Sequence, residues 1–140
     1  WEGLLAGSYT ILGQLYGAAP DPVQNFTATN GDTQVQLAWQ NPGDVHFTGT
    51  MIRVKGGSFP TSATDGTLVV DKAGAPGASD MFVHTGLTNW TTYYYSAFAH
   101  DNGVNFSPAA QVLATPPPPA FSNKSLTRRK PLAGSTVGAR

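Results

Sequence analysis

The 140 residues carry eight basic and eight acidic side chains and no cysteine, which excludes a disulfide scaffold and a Cys-ligated zinc site. No apolar run reaches the roughly 18 residues that a membrane-spanning helix needs. Scarce charge together with abundant Gly, Pro, Ser and Thr is the composition of a turn-rich all-β protein, here one domain plus extensions.

The charge is unevenly spread. Residues 1–123 hold Arg53, Lys55 and Lys72 against all eight acids, a formal −5, whereas residues 124–140 hold Lys124, Arg128, Arg129, Lys130 and Arg140 and no acid, a formal +5. An acidic body with a basic tail suits docking onto a neighbouring subunit or an anionic surface; a merely solvated tail is the alternative. The chain opens on Trp1 rather than methionine, so we expect it to be processed or cut from something longer, and no signal peptide is legible.

Residues 1–19 are mostly apolar and interrupted by four glycines, which argues against a stable helix. Tyr9, Ile11 and Leu15 could form a short strand or pack extended on a neighbour, and their apolar character makes them candidate partner contacts. Pro20-Asp21-Pro22 breaks the chain and opens the body. Val23, Phe26 and Ala28 begin a first strand, and Asn30-Gly31-Asp32 is read as the turn that follows. From Gln34 to Gln40 apolar Val35, Leu37 and Trp39 alternate with polar neighbours, the pattern of a half-buried strand with Trp39 inward. Asn41-Pro42-Gly43-Asp44 turns the chain into Thr50–Lys55, where Ile52 and Val54 face inward. Gly56-Gly57 and Phe59-Pro60 begin a long loop. Leu68-Val69-Val70 is a short strand, residues 73–78 read as a flexible connection, and Met81, Phe82 and Val83 lead into Gly86-Leu87.

The stretch L-T-N-W-T-T-Y-Y-Y-S-A-F-A-H, Leu87 to His100, organises the rest. Alternation places Tyr93, Tyr95, Ala97 and Ala99 on a core face and Tyr94, Ser96, Phe98 and His100 on the outer one. Cover for Tyr94 and Phe98 would come from the long loop or from a terminal extension. Asp101-Asn102-Gly103 turns the chain, and Ala110, Val112 and Ala114 supply the last strand.

Seven short strands with turns every 8–12 residues predict an immunoglobulin-like Greek-key β-sandwich over residues 20–116. Irregular extensions flank it at 1–19 and 117–140. The predicted structural core is Trp39, Leu37, Ile52, Leu87, Tyr93 and Tyr95. Within this frame residues 20–116 resemble a fibronectin type III domain. The opening proline, Leu37-Ala38-Trp39 followed by Pro42, and Gly86-Leu87 with Tyr93 and Tyr95 carry the likeness. F-T-G-T-M-I-R-V-K followed by F-P-T-S-A-T-D-G-T-L-V is similar to the modules of bacterial secreted and surface proteins. The spacing of Leu87 and Tyr93 resembles the tyrosine corner, whose tyrosine hydrogen-bonds backbone across the preceding connection. One departure stands out: Trp90 occupies a turn position where the family usually has glycine. The resemblance implies an extracellular or cell-surface, non-catalytic module. The Arg-Gly-Asp triplet by which some members bind integrins is absent, the corresponding loop reading His100-Asp101-Asn102-Gly103-Val104-Asn105.

The chemistry of enzymes is not legible. His46, His84 and His100 show no metal-ligand spacing, Asp101-Asn102-Gly103 reads as a plain turn rather than a calcium loop, and no phosphate loop, nucleophile elbow or carboxylate pair is present. No cofactor or metal is expected. Trp90 is the candidate partner contact of the body, with packing on its own loop as the alternative, and Arg128, Arg129 and Lys130 are candidates in the tail. Three charges without a folded basic face make a weak case for nucleic acid, which is not expected. Pro116–Pro119 form a stiff run that ends the domain, and the segment beyond it lacks periodicity and reads as disordered by composition. Four N-x-S/T triplets, starting at Asn25, Asn89, Asn105 and Asn123, would accept glycans only in a glycosylating host. Two functional classes remain. The first is a structural subunit of a filament, surface layer or virion, homo-oligomeric or polymeric through its extensions. The second is a spacer or carbohydrate-adjacent module of a secreted polysaccharide-degrading enzyme, with a stand-alone adhesion domain for protein or glycan as a lesser variant.

Overall fold

Strand-forming stretches separated by Gly, Pro, Asn and Asp become eight antiparallel strands in the computed structural model, which describes residues 18–102 and 104–120. They are β1 (Gln24–Gly31), β2 (Gln34–Gln40), β3 (Gly49–Lys55), β4 (Thr67–Ala73), β5 (Ser79–His84), β6 (Tyr93–Asp101), β7 (Asn105–Phe106) and β8 (Ala110–Ala114). One sheet has the order β1-β2-β5. The other runs β4-β3-β6, with β7 and β8 both paired to β6.

The period-two pattern of β2 does what alternation requires: Val35, Leu37 and Trp39 are buried while Gln34 and Gln36 are exposed. Across the sandwich they meet Ile52 and Val54 of β3 and Tyr95, Ala97 and Ala99 of β6. Each fully buried aliphatic or aromatic side chain contributes about 1.5–3 kcal/mol of transfer free energy. Conformational entropy offsets most of that sum.

Four details depart from the sequence reading. β1 continues through Gly31, so the first turn tightens to Asp32-Thr33, with Thr33 at φ 56°. The last strand is divided: Pro108 has no N–H to give, and β7 and β8 pair with opposite ends of β6. Ser107 spans the gap, its Oγ accepting from Ala99 N–H at 2.9 Å and its own N–H reaching Ala99 O at 2.8 Å. Residues 74–78 are tied down, with Gly77 N–H donating to Pro42 O at 2.9 Å and Asn41 N–H to Ala78 O at 2.8 Å.

The largest departure is the burial of Ser96 and His100 on the outer face of β6. The long β3–β4 connection covers Ser96 and, as one of the two covers expected, lies beside Tyr94 and Phe98, while Thr48, Asp71 and Phe106 lie against His100. Phe59 meets Tyr94 edge-on with ring centroids 5.1 Å apart, and Ser96 Oγ donates to Pro60 O at 2.7 Å. β6 is thus sandwiched on both faces.

The sandwich has two poles. β1 starts at Gln24 opposite Gln40, and Asp21 N–H donates to Asp44 Oδ2 at 2.9 Å, so the chain enters beside the β2–β3 connection. β8 ends at Ala114 opposite Tyr93, and Pro116 O accepts from Trp90 N–H at 2.7 Å. The chain therefore enters at one pole and leaves at the other, separated by the nine residues of β6, about 30 Å at the usual strand rise.

Candidate interaction surfaces

At the exit pole the turn before β6 presents Trp90 to solvent. Leu87 is buried and its N–H donates to Thr33 O at 2.9 Å, fastening the turn to the β1–β2 corner. Asn89 holds that corner with both ends of its side chain: Nδ2 donates to Asp32 Oδ1 at 2.8 Å, and Oδ1 accepts from Thr33 N–H at 2.8 Å. Trp90 itself sits at φ 68°, a left-handed conformation that costs an L side chain about 1–2 kcal/mol. Its indole is 73% exposed. Glycine would adopt that backbone without penalty; tryptophan does not. A fixed turn thus holds a large amphipathic ring out in water.

Tyr93 is half-buried. Its Oη accepts from Thr88 N–H at 2.9 Å, so the corner tyrosine receives a backbone donor near the surface rather than capping a buried acceptor. The deeper phenol is that of Tyr95, wholly buried and 2.9 Å from His84 Nδ1. Burial pushes the Tyr95 hydroxyl well above the ordinary tyrosine range, with the neighbouring Tyr93 adding to it. Burial likewise pushes His84 below the usual histidine value.

At the entry pole two more apolar side chains stand in solvent, Val45 at 81% and Val104 at 72% exposure. Asp21, Asp44, Asp71, Asp80 and Asp101 belong to the same pole, on the segment before β1, the β2–β3 connection, β4, β5 and the end of β6. Lys72 is the one lysine or arginine among the described residues of this pole and lies 3.6 Å from Asp80. Burial raises the Asp101 carboxyl, but the side-chain and backbone N–H groups of Asn105 outweigh it and hold the group below the usual range, His100 assisting. The Asp101–Asn105 segment is accordingly a carboxylate-capped turn.

Two buried polar clusters here were not legible in the sequence. Asn41 accepts from Trp39 Nε1–H at 2.9 Å and donates to Ala75 O at 3.0 Å and Asp80 Oδ2 at 2.8 Å, joining the core tryptophan to the β4–β5 loop. An Asn-Pro pair reads as a turn, and only the three-dimensional arrangement shows it as a hub. His100 lies on the outer face as its register requires, but it is buried there, its Nε2–H donating to Asp71 Oδ1 at 2.7 Å with Thr48 Oγ1 3.3 Å from Nδ1. This carboxylate–imidazole–hydroxyl order has the look of an activated nucleophile, but Thr48 Oγ1 lies as close to His100 O, at 3.2 Å, as to the ring, so its one proton has two competing acceptors. The trio fastens β4 and the β2–β3 connection to β6.

Among the described residues no three His, Cys, Asp or Glu side chains gather as metal ligands. A groove of about 410 Å³ opens between Thr61–Thr64 and Phe106–Ala109, with Phe98 among its lining residues. Of the other residues singled out from the sequence, Leu37, Trp39 and Ile52 lie in the core with Leu87 and Tyr95. Tyr9, Ile11, Leu15, Arg128, Arg129 and Lys130 fall outside the described residues.

No protein-family model matches the chain, and no curated protein does. Solved structures do. The FN1–FN3 domains of chicken CNTN1 match with a TM-score of 0.58 at 12% identity, over 71% of this chain and 33% of that one. A computationally redesigned β-sandwich protein matches with a TM-score of 0.54 at 22% identity, over 71% and 98% of the two chains. The spore cortex lytic enzyme SleM of Clostridium perfringens matches with a TM-score of 0.53 at 14% identity; the match covers 69% of this chain and only 28% of the enzyme. The likeness is one of architecture, and the architecture is an all-β immunoglobulin-like sandwich of two sheets. Within that class the fold is that of a fibronectin type III domain.

Proposed function

We propose that the chain is a non-catalytic extracellular module that serves as a structural subunit, associating with other copies or other protein subunits of a surface, filamentous or virion assembly. The observation that carries this reading is the placement of the two ends: the apolar segment 1–19 and the basic segment 124–140 attach at opposite poles of one rigid sandwich. Extensions attached in this way reach different neighbours, which suits a repeating array. Exposure of Tyr9, Ile11 and Leu15 in a lone molecule would favour aggregation, and the +5 tail has a −5 body to meet.

The test is the mass of the full chain in solution by light scattering over a range of concentrations, beside that of residues 20–116. Concentration-dependent growth of the full chain, with a monomeric core, is the expected result; a full chain that stays monomeric at every concentration overturns the reading.

A second reading has an observation of its own. The match to part of a lytic enzyme, together with the polyproline exit, suits a spacer or carbohydrate-adjacent module within a secreted polysaccharide-degrading enzyme. That reading requires a monomer, so the same measurement separates the two.

A further inference from the structure

Resting on the assembly reading, we infer that copies meet head to tail, with the Trp90 pole of one molecule docking on the Val45–Val104 pole of the next. Trp90, Val45 and Val104 are the three most exposed large apolar side chains of the described residues, and all three lie in connections at the ends of the sandwich. Each pole thus offers exposed apolar surface. The two surfaces differ: a single indole on one side, two small aliphatic side chains on the other. Such an interface is heterologous rather than self-complementary, and it leaves a free pole at each end of any oligomer.

Charge favours the same pairing. The entry pole holds five carboxylates against Lys72, a formal −4, while at the exit pole Asp32 and Asp65 are balanced by Arg53 and Lys55. All the net charge of the described body therefore sits at the entry pole, the pole of Val45 and Val104. The tail with its formal +5 leaves from the opposite pole, next to Trp90. Pro118 and Pro119 are already exposed and carry the chain off the sandwich, and a polyproline run is stiff and extended. The formal +5 of residues 124–140 is opposite in sign to the formal −4 of the entry pole, so a head-to-tail pairing brings a basic sequence to an acidic pole. Two like poles brought together would instead set carboxylates against carboxylates, or tail against tail.

Trp90's backbone supports a binding role for the ring. A left-handed turn position held by Asn89, Thr33 and Pro116 would be served at lower cost by glycine, so the indole is retained at the expense of strain. The turn is pinned before any partner arrives, which lowers the entropy lost on docking.

The experiment uses the full chain with one pole disabled at a time. Trp90→Gly disables the exit pole without straining the turn. Val45→Lys with Val104→Lys disables the entry pole at two exposed positions and opposes the tail. Light scattering of each variant alone should show self-association weakened by about 30-fold or more, the loss expected for a central tryptophan anchor. An equimolar mixture should then form a dimer and stop there, because each variant retains one working pole. Raising the salt from about 50 to 500 mM should weaken wild-type assembly by screening the tail contacts. Variants that assemble like the wild type, or a mixture that stays monomeric, overturn the head-to-tail pairing and leave the assembly reading intact. A monomeric wild type overturns both.

Discussion

At Trp90 the demands of the fold and the proposed docking role fall on a single residue. Glycine accepts φ 68° without penalty, so Trp90→Gly should leave the domain as stable as before or raise its stability by up to about 1 kcal/mol, read from the urea midpoint. A loss of more than about 1 kcal/mol would show that the indole packs on its own loop. The tyrosines sort by depth in the same way. Tyr95→Phe should cost about 1–2 kcal/mol by leaving His84 Nδ1 without its buried partner. Tyr93→Phe should cost less, about 0.5–1 kcal/mol, because Thr88 N–H lies near water that can replace the lost acceptor. Chemical denaturation of the two variants in parallel checks the order, and the reverse order would place the more important hydroxyl at the corner.

The elements show why some of this was legible and some was not. Period-two alternation made β2 and the inner face of β6 readable, since Leu37, Trp39, Tyr95 and Ala97 bury themselves by a local rule. The long loop was legible as a cover for Tyr94 and Phe98 on the outer face of β6, but no local pattern says that Pro60 will lie over Ser96. Asn41 escaped for a related reason: its partners at 75 and 80 are more than thirty positions away. Trp90 was legible as an oddity against the family's glycine, yet its exposure and its strained backbone needed the fold. Gly74 tests the Asn41 hub. A Cβ there would lie 2.6 Å from both Asn41 Nδ2 and Asp80 Oδ2, so Gly74→Ala should break that hydrogen bond and cost about 1–3 kcal/mol in thermal or urea unfolding. A neutral result would mean that the loop, not the hub, gives way. Trp39→Ala should cost roughly 3–5 kcal/mol and leave much of the domain unfolded, visible as loss of near-ultraviolet circular dichroism.

For the molecule as a whole, pH ties these local environments together. His84 titrates lower when folded than the unfolded value of about 6.5, so below that value the unfolded chain binds the proton more readily and stability falls with pH. Asp65, held below the carboxylate range by Thr61 N–H and Lys55, and Asp101 behave alike nearer pH 4. Their contributions are present above the unfolded carboxylate value and vanish as pH drops through the folded one. Stability should therefore decline in two stages on acidification, the first below about pH 6.5. His84→Gln should flatten that first stage and leave the second, as measured by denaturant midpoints between pH 7.5 and 3.5. An unchanged profile in the variant would assign the first stage to another group.

Entry and exit at opposite poles also decide how the molecule bears tension. β1 runs from the entry pole to the exit pole and β8 runs in the same direction from the middle of β6 to the exit pole, and each is paired antiparallel with an inner strand of a different sheet. A pull on the two ends acts along those strands, while their ladder hydrogen bonds lie across it. The bonds are thus sheared together rather than unzipped one at a time. Rupture has to release most of a ladder in one event, which makes the sandwich a stiff link under a pull on its two ends. The five-residue ladder of β8, shorter than that of β1 and free of its bulge, is where a stretched molecule first has to choose between holding and opening.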